Sequence, residues 1–216
     1  MAAPPEPASA GPALDGRLAL SALIAIPLLT GLALGLSVAF GGLTAWVATL
    51  LAYWAVLGGS LLAWADRDWL LEWLFARSPG RLVSILLAVP VIALGAMTMR
   101  LLGQNPLAPH LILAVAIAAV INATLEELFW RGALIPEPTP RSAALALALF
   151  VLAHVIWLGV LGLDFGGPPV AALAGALVLG GVWTASRLLS GTVGAGLLSH
   201  AGFNLFAFTQ VLALNT

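Results

Sequence analysis

From Leu18 onward the chain is a succession of long apolar runs separated by short breaks rich in Gly, Pro or Arg. A helix that crosses a bilayer needs about 20 mostly apolar residues. Seven stretches meet that requirement: Leu18–Phe40, Leu43–Trp64, Leu82–Leu102, His110 to about Leu134, Ser142–Leu163, Val170–Leu189 and Gly194–Leu214. No internal repeat relates them. Between the second and third, Asp68 to Arg77 places Trp69 with Trp73, and Leu70 with Leu74, one helical turn apart behind a capping Asp68. That pattern predicts a short helix lying in the membrane interface. Residues 1–16, with Pro4, Pro5, Pro7 and Pro12, predict a disordered tail. Residues 17–216 read as a single transmembrane domain. The uncharged run that starts at Leu18 is far longer than the ~7–15 residues of a signal-peptide core, so the first span is expected to be retained. The expected fold is all-α: a polytopic transmembrane helix bundle of about seven spans plus one interfacial helix.

Composition agrees and removes the alternatives. Of the 216 residues, 62% are hydrophobic and 8% charged, against about 25% charged in a soluble domain. Disorder demands the opposite balance. A net charge of −1 leaves no electrostatic footprint for nucleic acid. The absence of cysteine excludes disulfides, thiol catalysis and Cys-based metal sites. All eight basic residues are arginines, and they orient the bundle. With the N-terminus in the cytoplasm, Arg17, Arg67, Arg77, Arg81, Arg131, Arg141 and Arg187 fall inside and only Arg100 falls outside, which satisfies the positive-inside rule. The Ala/Leu/Arg-rich, Lys-free composition suggests a bacterial source, hence an inner-membrane location.

Ionisable residues inside a bilayer cost about 2.5–3.5 kcal/mol each on insertion scales and call for a partner or a purpose. Span four carries Asn122, Glu126, Glu127 and Arg131, span five His154, and span seven His200 and Asn204. At 1.5 Å per residue, Glu126, His154 and His200 fall roughly 9–18 Å from the cytoplasmic ends of their helices. Three helices therefore deliver a carboxylate and two imidazoles to one layer. His110, at the outer end of span four, reads instead as an ordinary helix-end histidine.

Spacing suggests roles. Glu127 and Arg131, four apart, form a favourable ion pair. Glu126 is turned about 100° away, shares a face with Asn122, and has no local cation, which suits a general base. His154 is positioned to share a water with it. His200 and Asn204, also four apart, offer paired donors for an oxyanion. These are the parts for attack of water on an amide.

The same residues resemble the CPBP family of intramembrane proteases, which includes the CAAX prenyl endopeptidases and bacteriocin-processing relatives. Glu126-Glu127-Leu128-Phe129-Trp130-Arg131 matches its Glu-Glu-x-x-x-Arg motif and is followed by the usual Gly132. Phe150 to His154 matches Phe-x-x-x-His, and His200 to Asn204 matches His-x-x-x-Asn. The motif-bearing core spans about residues 110–216, whereas spans one to three match only as hydrophobic helices. The resemblance implies an endopeptidase in which Glu126 and His154 activate water, Glu127 and Arg131 support the site, and His200 with Asn204 binds the oxyanion. Eight spans are common in that family, against seven here.

The expected function is thus hydrolysis of a peptide bond in a membrane-associated protein or peptide, through a cavity open to the cytoplasm. A non-catalytic membrane partner or chaperone is the alternative, followed by a proton or ion carrier. No cofactor is required in this reading. The family's frequent metalloprotease label keeps zinc as an alternative, with Glu126, His154 and His200 as the ligands. The expected partners are the lipid bilayer and the substrate; its prenylation state and the oligomeric state are not legible.

Overall fold

The computed structural model describes residues 13–168 and 170–216, and Arg67 by its backbone alone. The predicted tail lies almost wholly in residues 1–12, outside the described residues. Its end is ordered: Asp15 caps the first helix through the Arg17 and Leu18 N–H groups, and its own N–H donates to the Leu134 carbonyl at 2.8 Å.

Seven helices are long and apolar enough to cross a membrane. They are α1 (Gly16–Phe40), α2 (Gly42–Trp64), α4 (Arg81–Leu102), α5 (Pro109–Ala133), α6 (Pro140–Gly159), α7 (Val170–Ser190) and α8 (Gly194–Asn215). The short α3 (Arg67–Trp73) lies between α2 and α4. Among the described residues there is no strand. Large apolar side chains such as Leu28, Val38, Ile92 and Leu198 stay exposed along the spans, as a lipid-facing surface requires. α8 packs between α4 and α5, while α1 lies against α2 and the end of α6.

Two helices change winding at the candidate site residues. α5 is α-helical to Glu126 and then a π-helix over Glu127–Ala133, marked by the Leu134 N–H donating to the carbonyl of Phe129, five residues back. Short π segments recur at functional sites. α6 is α-helical to Ala153 and tightens to a 3₁₀-helix over His154–Gly159, so the regular span ends earlier than the predicted Leu163.

The interfacial helix starts one residue before the predicted cap. Asp66, not Asp68, is the capping residue, accepting from the Asp68 N–H at 2.9 Å. An Asp placed inside the first turn has no orphan N–H ahead of it to cap, whereas Asp66 has. α3 is tied to the bundle: Trp73 packs against Gly132, where an added Cβ would come within 2.8 Å of its ring, and the Trp73 carbonyl accepts from the Val193 N–H. The glycine that follows the first motif thus makes room for this indole.

Candidate active site

The six predicted site residues converge in one buried cluster around α5, α6 and α8. Glu126, Glu127, Arg131, His200 and Asn204 are each no more than 6% exposed. Arg131 Nη1 lies 3.1 Å from Glu127 Oε1 across one helical turn, as the spacing suggested. Its guanidinium also bonds Thr184 Oγ1 and the Gly180 carbonyl on α7, and lies 3.9 Å from the centre of the Phe150 ring. Gly180 allows this approach, since a Cβ there would meet Phe150 at 2.8 Å and Arg131 at 2.9 Å.

Glu126 departs from expectation. It is not an isolated carboxylate sharing only Asn122's helix face. His200 Nε2 lies 3.1 Å from Glu126 Oε2, while His200 Nδ1 lies 2.9 Å from Glu127 Oε1. One imidazole bridges the two acids. The π winding accounts for this: its wider turn rotates successive side chains through less than the 100° of an α-helix, so adjacent carboxylates flank one ring. Each contact needs a hydrogen between nitrogen and oxygen. The cluster therefore holds two carboxylates, Arg131 and one further proton, and is neutral overall. Neutrality is what makes such a group tolerable in hydrocarbon. The His200 ring is stacked on Trp183 at 3.8 Å between centroids.

His200 and Asn204 consequently do not act as a matched donor pair. His200 spends both nitrogens on carboxylates. Asn204 Nδ2 is buried without a hydrogen-bond partner, so it alone of the two keeps a free donor. His154, at the first residue of the 3₁₀ segment, has Nδ1 2.9 Å from the Phe150 carbonyl. A carbonyl can only accept, so Nδ1 carries the hydrogen and Nε2 is left as the acceptor. Phe150 of the second motif thus seats Arg131 with its ring and His154 with its backbone.

Several participants escaped the sequence reading. Tyr53 on α2 donates its hydroxyl to Glu126 Oε1 at 2.7 Å and accepts from Trp130 Nε1 at 3.1 Å. The neighbouring Trp54 donates to Asn122 Oδ1 at 2.8 Å. Tyr53 is the only tyrosine of the chain and sits mid-span. A buried phenol needs a partner, and that was the available signal. Arg187 is the other: it is 3% exposed and has no acid beside it in sequence. Its guanidinium donates to the carbonyls of Arg131, Pro136 and Gly191, closing the C-terminal end of the π segment.

A cavity of about 320 Å³ adjoins the cluster, lined by Glu126, His154, His200, Asn204 and Asn122. It runs from this layer to Gly166–Pro168 and Gln210, at the end of the bundle that carries the C-terminus. The sequence reading expected an opening at the arginine-rich end. That end is filled by Phe129, Trp130, Leu134 and Ile135, each no more than 1% exposed.

The zinc alternative meets a donor set already committed. Both His200 nitrogens face carboxylates and His154 offers only Nε2. Among the described residues, no group of three or more His, Asp or Glu is disposed to hold a metal ion. The residues as arranged do not fit a catalytic zinc, which needs three ligands and an open position.

Fold and cluster define a polytopic helical membrane protein with a charge-balanced Glu/His site beside an internal cavity. Residues 108–206 match the family model described as Rce1-like, type II CAAX prenyl endopeptidase Rce1-like, a stretch that contains all three motifs. Over that stretch, 99 of the 216 residues, the chain is similar to CAAX-type intramembrane proteases. No curated protein and no solved structure matches the chain.

Proposed function

We propose that the protein is an intramembrane endopeptidase that hydrolyses a peptide bond of a membrane-associated protein or peptide with a water held between Glu126 and His154. The observation that carries this reading is that a carboxylate, an imidazole acceptor and an unpartnered amide donor, Asn204, line one cavity. Water donates one hydrogen to Glu126 and one to His154 Nε2, leaving an oxygen lone pair for the substrate carbonyl carbon. As the C–O bond forms, Glu126 takes the water's proton and the carbonyl electrons move onto oxygen, where Asn204 Nδ2 donates to the new anion. Collapse breaks the C–N bond, and the proton held by Glu126 passes to the departing amine. His200 is reassigned: it fixes Glu126 against Glu127 and Arg131 rather than binding the oxyanion. Tyr53 holds the other carboxylate oxygen.

No metal enters this scheme. Elemental analysis with an activity assay after prolonged chelation tests that directly: activity should persist, and one tightly bound zinc per chain whose removal abolishes activity would overturn it. The Lys-free composition favours a bacterial inner membrane and the arginine distribution a cytoplasmic N-terminus.

The experiment for the function as a whole compares new protein termini in cells carrying the wild type with those in cells carrying Glu126→Gln. A peptidase yields termini found only with the wild type. Identical sets from the two strains would favour a non-catalytic membrane partner.

A further inference from the structure

The cavity gives the site a direction. On every helix that lines it, the lining residues run from the cluster toward the same end of the bundle. α2 contributes Trp46 and Leu50 from its beginning, α6 contributes Trp157 from its end, and α8 contributes Ala207 and Gln210 from its second half. The exposed turn Gly166–Pro168 forms its rim. Small residues of α7, including Ala172 and Gly175, line it together with aromatic side chains such as Trp46, Trp157 and Phe208. Apart from the cluster itself, the lining holds no charged side chain, and the Gln210 amide is already engaged with Thr98 Oγ1 at 3.0 Å. The floor carries the unpartnered amide of Asn204, which is 6% exposed.

Among the described residues, the opposite end shows no comparable route. The π segment fills it, α3 covers it through Trp73, and Arg187 locks the emerging backbone.

We propose that substrate reaches the site from the face that carries the C-terminus and the Gly166–Pro168 turn, opposite the arginine-rich face, and that it enters as an uncharged, apolar peptide segment. The proposal rests on the peptidase reading for the word substrate, but the route itself does not. A charged residue close to the scissile bond would have to leave water for a lining with no counter-charge to offer. A free C-terminal carboxylate would meet the same obstacle, so cleavage falls within a segment rather than one or two residues from a chain end. If the N-terminus is cytoplasmic, the entrance faces outward and the natural substrates are apolar stretches that approach from the outer side.

The absence of cysteine makes the route directly measurable, because a single introduced thiol is the only one present. Maleimides react with the thiolate and so require water at the site. Ala207→Cys, in the cavity, is compared with three reference positions in separate variants. These are Thr216→Cys at the C-terminus, Ser78→Cys at the arginine-rich end, and Ile117→Cys on the lipid-facing side of α5, where the native residue is 54% exposed. Sealed right-side-out and inverted vesicles are treated with a charged, membrane-impermeant maleimide. Ala207→Cys should be labelled in whichever preparation labels Thr216→Cys, Ile117→Cys should stay unlabelled in both, and labelling should abolish cleavage. Labelling of Ala207→Cys together with Ser78→Cys, or in neither preparation, overturns the route. Ala172→Cys, in the α7 lining, provides a second position should the first variant fail to fold. The substrate class is read from the termini unique to the wild type: cleavage sites flanked immediately by charged residues overturn it. A correct labelling pattern with identical termini in wild-type and Glu126→Gln cells would instead reject the peptidase reading and leave the route standing.

Discussion

The family-matched stretch of the chain and the helices before it contribute to the same cluster on different terms. Residues 108–206 bring every motif residue and the charge-balanced network. The helices α1 to α4 carry no recognisable motif, yet α2 reaches in with Tyr53 to Glu126 and Trp54 to Asn122. The matched stretch supplies the titratable groups of the cluster. The helices before it supply neutral donors that orient those groups and cost no charge in the bilayer. A motif therefore marks the charged members of a cluster without enclosing everything that positions them.

The largest effect that would sharpen this contrast belongs to Glu126→Gln. That variant should fold and lose cleavage activity by orders of magnitude, as for a central catalytic group; retained turnover in purified protein would reject the assignment. Arg131→Ala should fail differently, by lowering yield and thermal stability as well as activity. It leaves the buried cluster with one uncompensated negative charge, a loss of about 3–5 kcal/mol for a broken buried pair, and a melting curve like the wild type's would contradict it. Asn204→Ala should reduce kcat by roughly 10²–10³ with little change in KM, the signature of a lost oxyanion donor. Tyr53→Phe removes a neutral donor from a carboxylate, a hydrogen bond worth about 1.5–3 kcal/mol. Its expected loss is roughly ten- to a hundredfold, with folding preserved. If Tyr53→Phe matched Glu126→Gln, the division between reacting and orienting parts would collapse.

The smallest effect lies farthest from the site. Asp15→Ala should cost about 1 kcal/mol through the lost helix cap. Burial works to raise the Asp15 carboxyl pKa, but its bonds to Arg17 and to two backbone N–H groups outweigh burial and hold it below the ordinary value. The stabilisation is thus present above the unfolded carboxylate range and fades as pH falls through the folded value. The wild-type advantage over Asp15→Ala should accordingly be largest near neutrality and shrink in acid, as measured by thermal melting in detergent.

How much of this the sequence disclosed depends on the range of the interaction involved. Apolar run length located the seven spans to within a few residues, because the bilayer imposes that length on each helix separately. Glu127 with Arg131 was legible for the same reason, being a contact within one helix. The His200 bridge was not. It depends on a local switch from α to π winding, which hydropathy does not encode, and on the approach of α8 at a particular rotation. The direction of the cavity was hidden likewise, since it follows from how side chains of six helices meet around it. Arg187 entered the charge asymmetry as one arginine among seven, yet its three carbonyl partners come from backbone far from it in sequence or in a turn beyond its own helix.

The bridge between His200 and the two acids also bears on how the protein is made. Glu127 finds Arg131 as soon as α5 is complete, but its histidine partner lies 73 positions further along the chain. At a synthesis rate of about 5–20 residues per second, roughly 4–15 s pass before that imidazole emerges. Throughout that interval Glu126 sits in or beside the insertion machinery without its partner on α8. Nascent chains that stop short of α8 would present an acid held by Tyr53 alone to the bilayer, a feature by which quality-control proteases could single out incomplete copies.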